Sequence, residues 1–251
     1  MSTRSGALVA ALTIAAIALI AIVAVVVLAP RSAPPSDPGA APPDYALAAQ
    51  SPPAAASPIR VGLAGLADAD WIDRVSAASG IPPRALAAYA GAAIAKARAM
   101  PQCGVGWTTL AAIGLVESDH GRHGGSSIGD DGTVSPPILG IALDGASSAH
   151  IPDSDDGAID GDAEFDRAVG PMQLIPQTWR NWHVDGSGDG IEDPQNIDDA
   201  VDATTNYLCR ASSDLVSRDG WRAGVGAYNS SDAYVQAVAD AANRYAAAEQ
   251  E

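Results

Sequence analysis

Apolar and polar residues recur with a helical period along most of the chain from about Leu66 onward. The stretch WIDRVSAASG ends at Gly80, and a second helical stretch, LAAYAGAAIAKARAM, follows a Pro-Pro pair that a first helical turn tolerates. The period returns in GPMQLIPQTWRNWHV, in IDDAVDATTNYLCRASSDLV, from Trp221 to Asn229, and in SDAYVQAVADAANRYAAAE. No stretch alternates as a half-buried strand would. The pattern therefore predicts a mainly α domain.

One predicted helix carries an acid on its apolar stripe, in WTTLAAIGLVESDHG from Trp107 to Gly121. Leu110, Ile113 and Glu117 fall at i, i+3 and i+7, so a helix places them on one face. Periodicity alone leaves two interpretations open. Glu117 is either a solvated residue at a frayed helix end, as lone Glu residues usually are, or an acid whose pKa rises among helix carbonyls and apolar neighbours. The second environment suits a general acid near neutral pH.

The stretch from Gly121 to Val169 has no helical period and scatters Gly, Ser, Asp and Pro among short apolar runs such as ILGIAL. So long a stretch is usually a functional loop or a small insertion. Its acidic part, Asp153 to Asp166, contains seven carboxylates. A solvated loop accounts for most of them. A cation could bind some, but the sequence contains no complete ligand pattern there.

The N-terminus predicts a membrane anchor followed by a tether. Residues 6–29 contain no charged residue. This uncharged stretch is long enough for a membrane-spanning helix and longer than the apolar core of a usual signal peptide. We therefore predict three parts: a signal anchor over residues 1–30, a Pro/Ala-rich linker over 31–65, and a folded domain over 66–251. Cleavage around Leu28 to Ala33, which would give a secreted protein, is the main alternative.

Orientation and partners depend on charge and cysteine content. Arg4 and Arg31 nearly balance across the anchor, but the Pro-rich, disulfide-compatible sequence after it favours a single-pass protein with its domain outside the cytoplasm.

The net charge of -16 argues against nucleic acid or anionic lipid as the main partner. Ala-rich composition favours helices. Cys103 and Cys209 make an even count, which predicts one disulfide in such a domain.

Four stretches, in order along the chain, carry a family resemblance. They are GLVESDHG around Glu117, AVGPMQLIPQTW around Gln173, VDGSGDGIEDPQNIDDAVDATTNYL, and GVGAYNSSDAYV around Tyr228 and Asn229. The resemblance spans about residues 66–247, the whole predicted domain. Their order resembles that of lytic murein transglycosylases, particularly membrane-bound lytic transglycosylase B relatives with a goose-lysozyme-like fold. The resemblance implies a lysozyme-like helical domain.

The resemblance also implies a reaction and its residues. Glu117 would be the catalytic acid/base, Gln173 would line the cleft, and Tyr228 and Asn229 would border the cleaved sugar. Most glycosidases need two carboxylates, but the acetamido group of an N-acetylated sugar can replace the second. The expected reaction cleaves the β-1,4 bond between N-acetylmuramic acid and N-acetylglucosamine of peptidoglycan and forms a 1,6-anhydro ring. The alternatives are a lysozyme-type hydrolase and a non-catalytic glycan-binding envelope scaffold.

The loop that begins at Asp185 resembles the first half of an EF-hand. The predicted ligands, at positions 1, 3, 5, 7 and 9, are Asp185, Ser187, Asp189, Ile191 through its carbonyl, and Asp193. Gly190 occupies position 6, but position 12 is Asn196 where an EF-hand has a bidentate Glu. All of these ligands are oxygen atoms, so the loop predicts a structural Ca²⁺. The expected chemistry itself requires no cofactor.

Overall fold

The computed structural model describes residues 43–47, 51–58, 60–146 and 148–250. The predicted membrane anchor over residues 1–30 and the first part of the predicted linker lie outside the described residues. Within the described residues, no helix combines the length and the apolar character that crossing a membrane requires.

The described part of the chain is mainly helical, as the sequence predicts. It contains seven α-helices: α1 Ala69–Ser79, α2 Pro83–Ala99, α3 Trp107–Ser118, α4 Pro176–Trp182, α5 Ile197–Ala211, α6 Arg218–Tyr228 and α7 Asp232–Ala248. Single 3-10 turns lie at Leu63–Gly65 and His123–Gly125. The predicted helix in GPMQLIPQTWRNWHV begins only at Pro176. Gly170 and Gln173 have left-handed φ angles of 72° and 48°, so the residues before Pro176 form a turn instead.

The insertion after α3 contains short strands that the sequence did not predict. They are β1 Ser127–Ile128, β2 Val134–Ser135, β3 Leu139–Ala142 and β4 Arg167–Val169. β1 pairs antiparallel with β2, and β3 pairs antiparallel with β4. None exceeds four residues, which is too short for an alternating pattern to stand out. The β3–β4 pair brings the end of the insertion to the turn that precedes α4.

Helix α3 lies at the centre of the core, packed against α2, α5 and α7. Trp107, Leu110 and Ile113 are all 0% exposed. The Trp107 ring contacts the rings of Trp71 and Tyr245, with centroids 5.3 and 6.4 Å away. A helix that is apolar on nearly all sides is a buried helix. The apolar stripe seen in the sequence is therefore only part of the buried surface of α3.

Two close contacts hold the helices around α3. At Gly91 in α2, an added Cβ would lie 1.9 Å from the carbonyl oxygen of Leu63, so the close approach of the 3-10 turn requires glycine. The predicted disulfide between Cys103 and Cys209 is confirmed, with the two Cα atoms 5.4 Å apart. It joins the segment before α3 to α5.

A segment within the predicted linker contacts the helical domain. The Asp44 carboxylate accepts hydrogen bonds from Arg218 at 2.6 and 2.9 Å and from Arg222 at 3.0 Å, both on α6. On α7, Asn243 donates to the Tyr45 carbonyl and accepts from the Leu47 amide. We call Pro43–Leu47 the strap, because it crosses from α6 to α7.

Candidate active site

The end of α3 places Glu117 beside the turn that carries Gln173. Asp119 and His120, which follow the helix, both have left-handed backbone angles, and their amides donate back to Leu115 and Gly114. The Ser118 hydroxyl is buried and donates to the carbonyl of Pro171 at 2.6 Å. This bond fixes the last turn of α3 against the segment from Gly170 to Leu174.

The Glu117 carboxyl is half-buried and has a single donor among the described side chains, the hydroxyl of Tyr234. The Tyr234 hydroxyl donates to Glu117 Oε1 at 2.6 Å. Burial raises the pKa of Glu117 to about 7, although the bond from Tyr234 partly opposes the rise. A carboxyl with this pKa exists in both protonation states near neutral pH, so it can donate a proton in one step and accept one in the next.

A buried histidine lies three residues after Glu117 in the sequence. His120 is 1% exposed, and its two ring nitrogens lie 3.1 Å from the hydroxyl of Tyr89 and 2.9 Å from that of Tyr245. Burial lowers the pKa of His120 to about 3, so its ring is neutral near pH 7. The network ties the end of α3 to α2 and α7 without adding a charge near the acid.

Gln173 lies in the turn between β4 and α4. Its φ of 48° is left-handed, and its Nε2 donates to the Gly170 carbonyl at 3.0 Å. On the other side, an added Cβ at Gly140 in β3 would lie 3.0 Å from Gln173 Oε1, so glycine leaves room for the amide. The side chain is therefore held between its own turn and β3.

Tyr228 ends α6 and connects it to the same turn. Its hydroxyl donates to the carbonyl of Met172 and lies 3.3 Å from the hydroxyl of Thr204. Burial, and then the charge of Glu117, raise the pKa of Tyr228 well above its usual value. Asn229 is exposed, and its side chain accepts from the Ser231 amide within its own loop. The structure thus groups Glu117, Tyr228 and the Gln173 turn, while Asn229 lies at the end of α6.

Tyr234 is the residue of this site that sequence reasoning missed. It lies in the resembling stretch GVGAYNSSDAYV, near the start of α7. An aromatic residue at helical spacing is ordinarily interpreted as core. Only the packing of α7 against α3 brings its hydroxyl to a carboxyl 117 positions away.

The loop from Asp185 to Asp193 folds around its own carboxylates. The Asp185 side chain accepts from the amides of Gly188 and Gly190 at 2.6 and 2.9 Å. Behind the loop, the Asp199 carboxyl is 0% exposed and accepts from Ser187 and Asp193 at 2.8 and 2.9 Å. Burial raises the pKa of Asp199 to about 6.

Asn196, at the twelfth position of this loop, is the N-cap of α5 and accepts from the Asp198 amide. The side-chain oxygens that could bind Ca²⁺ are those of the predicted ligands Asp185, Ser187, Asp189 and Asp193. Ile191 would contribute its carbonyl, and the ion predicted there stays a prediction.

No family model, curated protein or solved structure matches this chain.

Proposed function

We propose that this protein is a peptidoglycan lytic transglycosylase in which Glu117 is the single acid/base. The observation that carries the proposal is one half-buried carboxyl with a pKa of about 7 at the end of a buried helix. Burial raises this pKa, the bond from Tyr234 partly opposes the rise, and no second carboxylate contributes to it. This environment suits a reaction in which one carboxyl transfers the proton in both steps.

In the first step, protonated Glu117 donates its proton to the oxygen that links N-acetylmuramic acid to N-acetylglucosamine. As that bond breaks, the acetamido oxygen of the muramic residue bonds to its own anomeric carbon, in place of a second carboxylate. In the second step, the muramic 6-hydroxyl attacks the same carbon and displaces the acetamido oxygen. Ionised Glu117 accepts the hydroxyl proton, and the 1,6-anhydro ring closes without water.

The neighbouring residues support this use of Glu117. Tyr234 orients the carboxyl, and Tyr228 fixes the turn that carries Gln173 by donating to Met172. Gln173 and Asn229 would contact the glycan. We also propose that residues 6–29 anchor the chain in the cell membrane, with the domain outside the cytoplasm, where peptidoglycan is found.

The test is a digest of purified glycan strands, analysed by mass spectrometry. The wild-type chain should produce 1,6-anhydromuramic ends, which are lighter by one water than hydrolysis products, because the 6-hydroxyl of the same sugar is held close to the reacting carbon. Glu117→Gln keeps the shape of the side chain but cannot deliver a proton. Its turnover should fall by at least the roughly 10²- to 10⁴-fold that such a group contributes, while glycan binding persists.

Glu164→Gln is the matched control, because Glu164 is an exposed residue of the acidic loop and should tolerate the same change. Reducing muramic ends from the wild type would establish a hydrolase instead. Binding without any cleavage would favour the scaffold. Equal turnover by Glu117→Gln and Glu164→Gln would refute the role of Glu117.

A further inference from the structure

Three exposed apolar side chains lie where the strap meets the loop between α2 and α3. Eight large apolar residues are exposed in the described part of the chain, and these three are Val216 at 63%, Leu47 at 47% and Met100 at 36%. Leu47, Val216 and Pro101 line one groove of about 270 Å³. We call this groove, with Met100 beside it, the apolar end. A contiguous exposed apolar surface usually marks a contact site.

The apolar end is built on fixed elements. The disulfide joins Cys103 in the α2–α3 loop to Cys209, and the Leu215 amide donates to the Cys103 carbonyl at 2.8 Å. Val216 packs against Gly104, where an added Cβ would lie 2.3 Å from Val216 Cγ2. These contacts attach the loop before α6 to the loop before α3, so the exposed side chains form one preformed surface.

The charge around the apolar end differs from that of the rest of the molecule. Residues 43–47, 96–106 and 209–222 supply most of the lining of the groove. They contain five of the twelve Lys and Arg that the structure describes, but only three of its twenty-eight Asp and Glu. The net charge of -16 argues against anionic lipid as a partner of the whole surface. This end has a small positive excess, so an anionic membrane repels it least.

The chain enters the described domain beside this surface. Asp44 in the strap pairs with Arg218, which lies two residues after Val216. Thirteen residues, 30–42, separate the end of the uncharged stretch from the strap. Fully extended, thirteen residues span at most about 45 Å. The apolar end is therefore confined near any membrane that residues 6–29 enter.

We propose that the apolar end docks on an anionic phospholipid surface. The inference rests on the anchor and the location outside the cytoplasm that belong to the proposed function. The exposed apolar side chains would enter the headgroup region, as on other surfaces that bind a bilayer from one side. Arg98 and Arg210 are both exposed, and neither forms an ion pair with a described residue. They would meet the lipid phosphates.

Docking at this end would direct the candidate active site away from the lipid. Gly106 and Trp107 line the groove at the start of α3, and Glu117 lies ten residues after Trp107 on the same helix. At the rise of an α-helix, ten residues correspond to about 15 Å. One end of α3 would thus lie at the membrane while the other presents Glu117 to the glycan.

The test uses the full chain in vesicles that contain a phospholipid with a photoreactive acyl chain. One set of vesicles contains phosphatidylglycerol and phosphatidylcholine, and the other contains phosphatidylcholine alone. After irradiation, mass spectrometry identifies the lipid-modified peptides. The wild type should be modified over residues 6–29 in both sets. It should be modified over residues 99–104 and 212–218 several-fold more in the anionic set, because basic residues strengthen binding to anionic lipid.

Val216→Asp should lower the modification of residues 99–104 roughly tenfold, because a charge replaces a Val side chain that lipid would bury. Ile141→Asp is the matched control. Ile141 is 61% exposed, close to the 63% of Val216, but it lies on β3, outside the apolar end. This variant should be modified over residues 99–104 like the wild type. Both variants should melt at the wild-type temperature, since both side chains are mostly exposed.

Equal modification of residues 99–104 in the two variants, or in the two sets of vesicles, would overturn the proposal. So would its absence from a wild type that is modified over residues 6–29, a result that would favour a protein partner for this surface. A wild type without modification over residues 6–29 would refute the anchor and the docking together. Turnover of soluble glycan strands by the same preparation needs no lipid, so it tests the proposed reaction separately.

Discussion

At the scale of single residues, the Glu117 carboxyl is controlled by burial and by the bond from Tyr234. That bond favours the ionised carboxylate and so lowers a pKa that burial raises. Tyr234→Phe removes the bond, and the pKa of Glu117 should rise further. The proton donor would then persist to higher pH. The alkaline limb of the pH profile of kcat/KM, measured on purified glycan, should therefore move to higher pH.

Tyr207→Phe is the control for Tyr234→Phe. The Tyr207 hydroxyl donates to the Ala227 carbonyl at 2.6 Å, so this variant loses a bond of the same length that does not reach Glu117. Its alkaline limb should stay where the wild-type limb lies. Equal movement in the two variants would contradict the assignment of the shift to the bond between Tyr234 and Glu117.

The raised pKa of Glu117 also links stability to pH. The folded carboxyl titrates near 7 and the unfolded one near 4.5, so the folded state binds more protons between these values. The free energy of unfolding should therefore fall as pH rises through this window. Glu117→Gln cannot titrate, so its stability relative to the wild type should increase from pH 4 to pH 8, by on the order of 3 kcal/mol.

Denaturant unfolding at both pH values measures this difference. Glu164→Gln again controls for the change in charge, and its difference from the wild type should vary much less with pH. If Glu117→Gln gains no free energy of unfolding relative to the wild type between pH 4 and pH 8, burial does not raise the pKa of Glu117.

The sequence indicates part of this site. Helical spacing and a motif single out Glu117, and a motif singles out Tyr228. Tyr234 could not be found in this way, because its function depends on the packing of α7 against α3. The left-handed backbone of Gln173 could not be predicted from the sequence either, since such angles are uncommon outside glycine.

At the scale of elements, the contact between α2 and the Leu63–Gly65 turn depends on Gly91. Gly91→Ala would push a Cβ to 1.9 Å from the Leu63 carbonyl oxygen, so one of the two backbones must move. We expect a loss of on the order of 3 kcal/mol in the free energy of unfolding. Denaturant unfolding measures the loss.

Gly226→Ala is the matched control, since Gly226 lies inside α6 and its added Cβ would meet nothing within 4 Å. There alanine should stabilise the helix by up to about 1 kcal/mol. The prediction fails if Gly91→Ala is as well tolerated as Gly226→Ala.

Helical periodicity predicted every α-helix of the described domain, because each helix buries a continuous apolar surface. It failed where the backbone is determined by contacts distant in sequence. The turn before Pro176 is held by the bond from Ser118, and strands β3 and β4 depend on their pairing with each other across the insertion. Neither interaction leaves a local pattern.

At the scale of the whole molecule, the Cys103–Cys209 disulfide restricts the unfolded chain across 106 residues. Replacing both cysteines with serine should lower the free energy of unfolding by roughly 4 to 5 kcal/mol in the chain-entropy model. Urea unfolding measures the loss. Adding a thiol reductant to the wild type should reproduce most of it and leave the variant unchanged. Equal stability of the wild type and the variant without reductant would contradict the prediction.

The sequence did not predict the strap. The composition of the linker predicts an extended tether, but Asp44 finds its partners, Arg218 and Arg222, at the far end of the chain. An aspartate among Pro and Ala residues carries no signal of such a contact.

The left-handed turn at Gln173 has a consequence for laboratory evolution. Glycine adopts that backbone angle without strain, whereas glutamine does not. A library of variants selected only for heat resistance would therefore tend to accumulate glycine at this position. A library selected for glycan turnover would retain the amide, so the two selections would diverge at one codon.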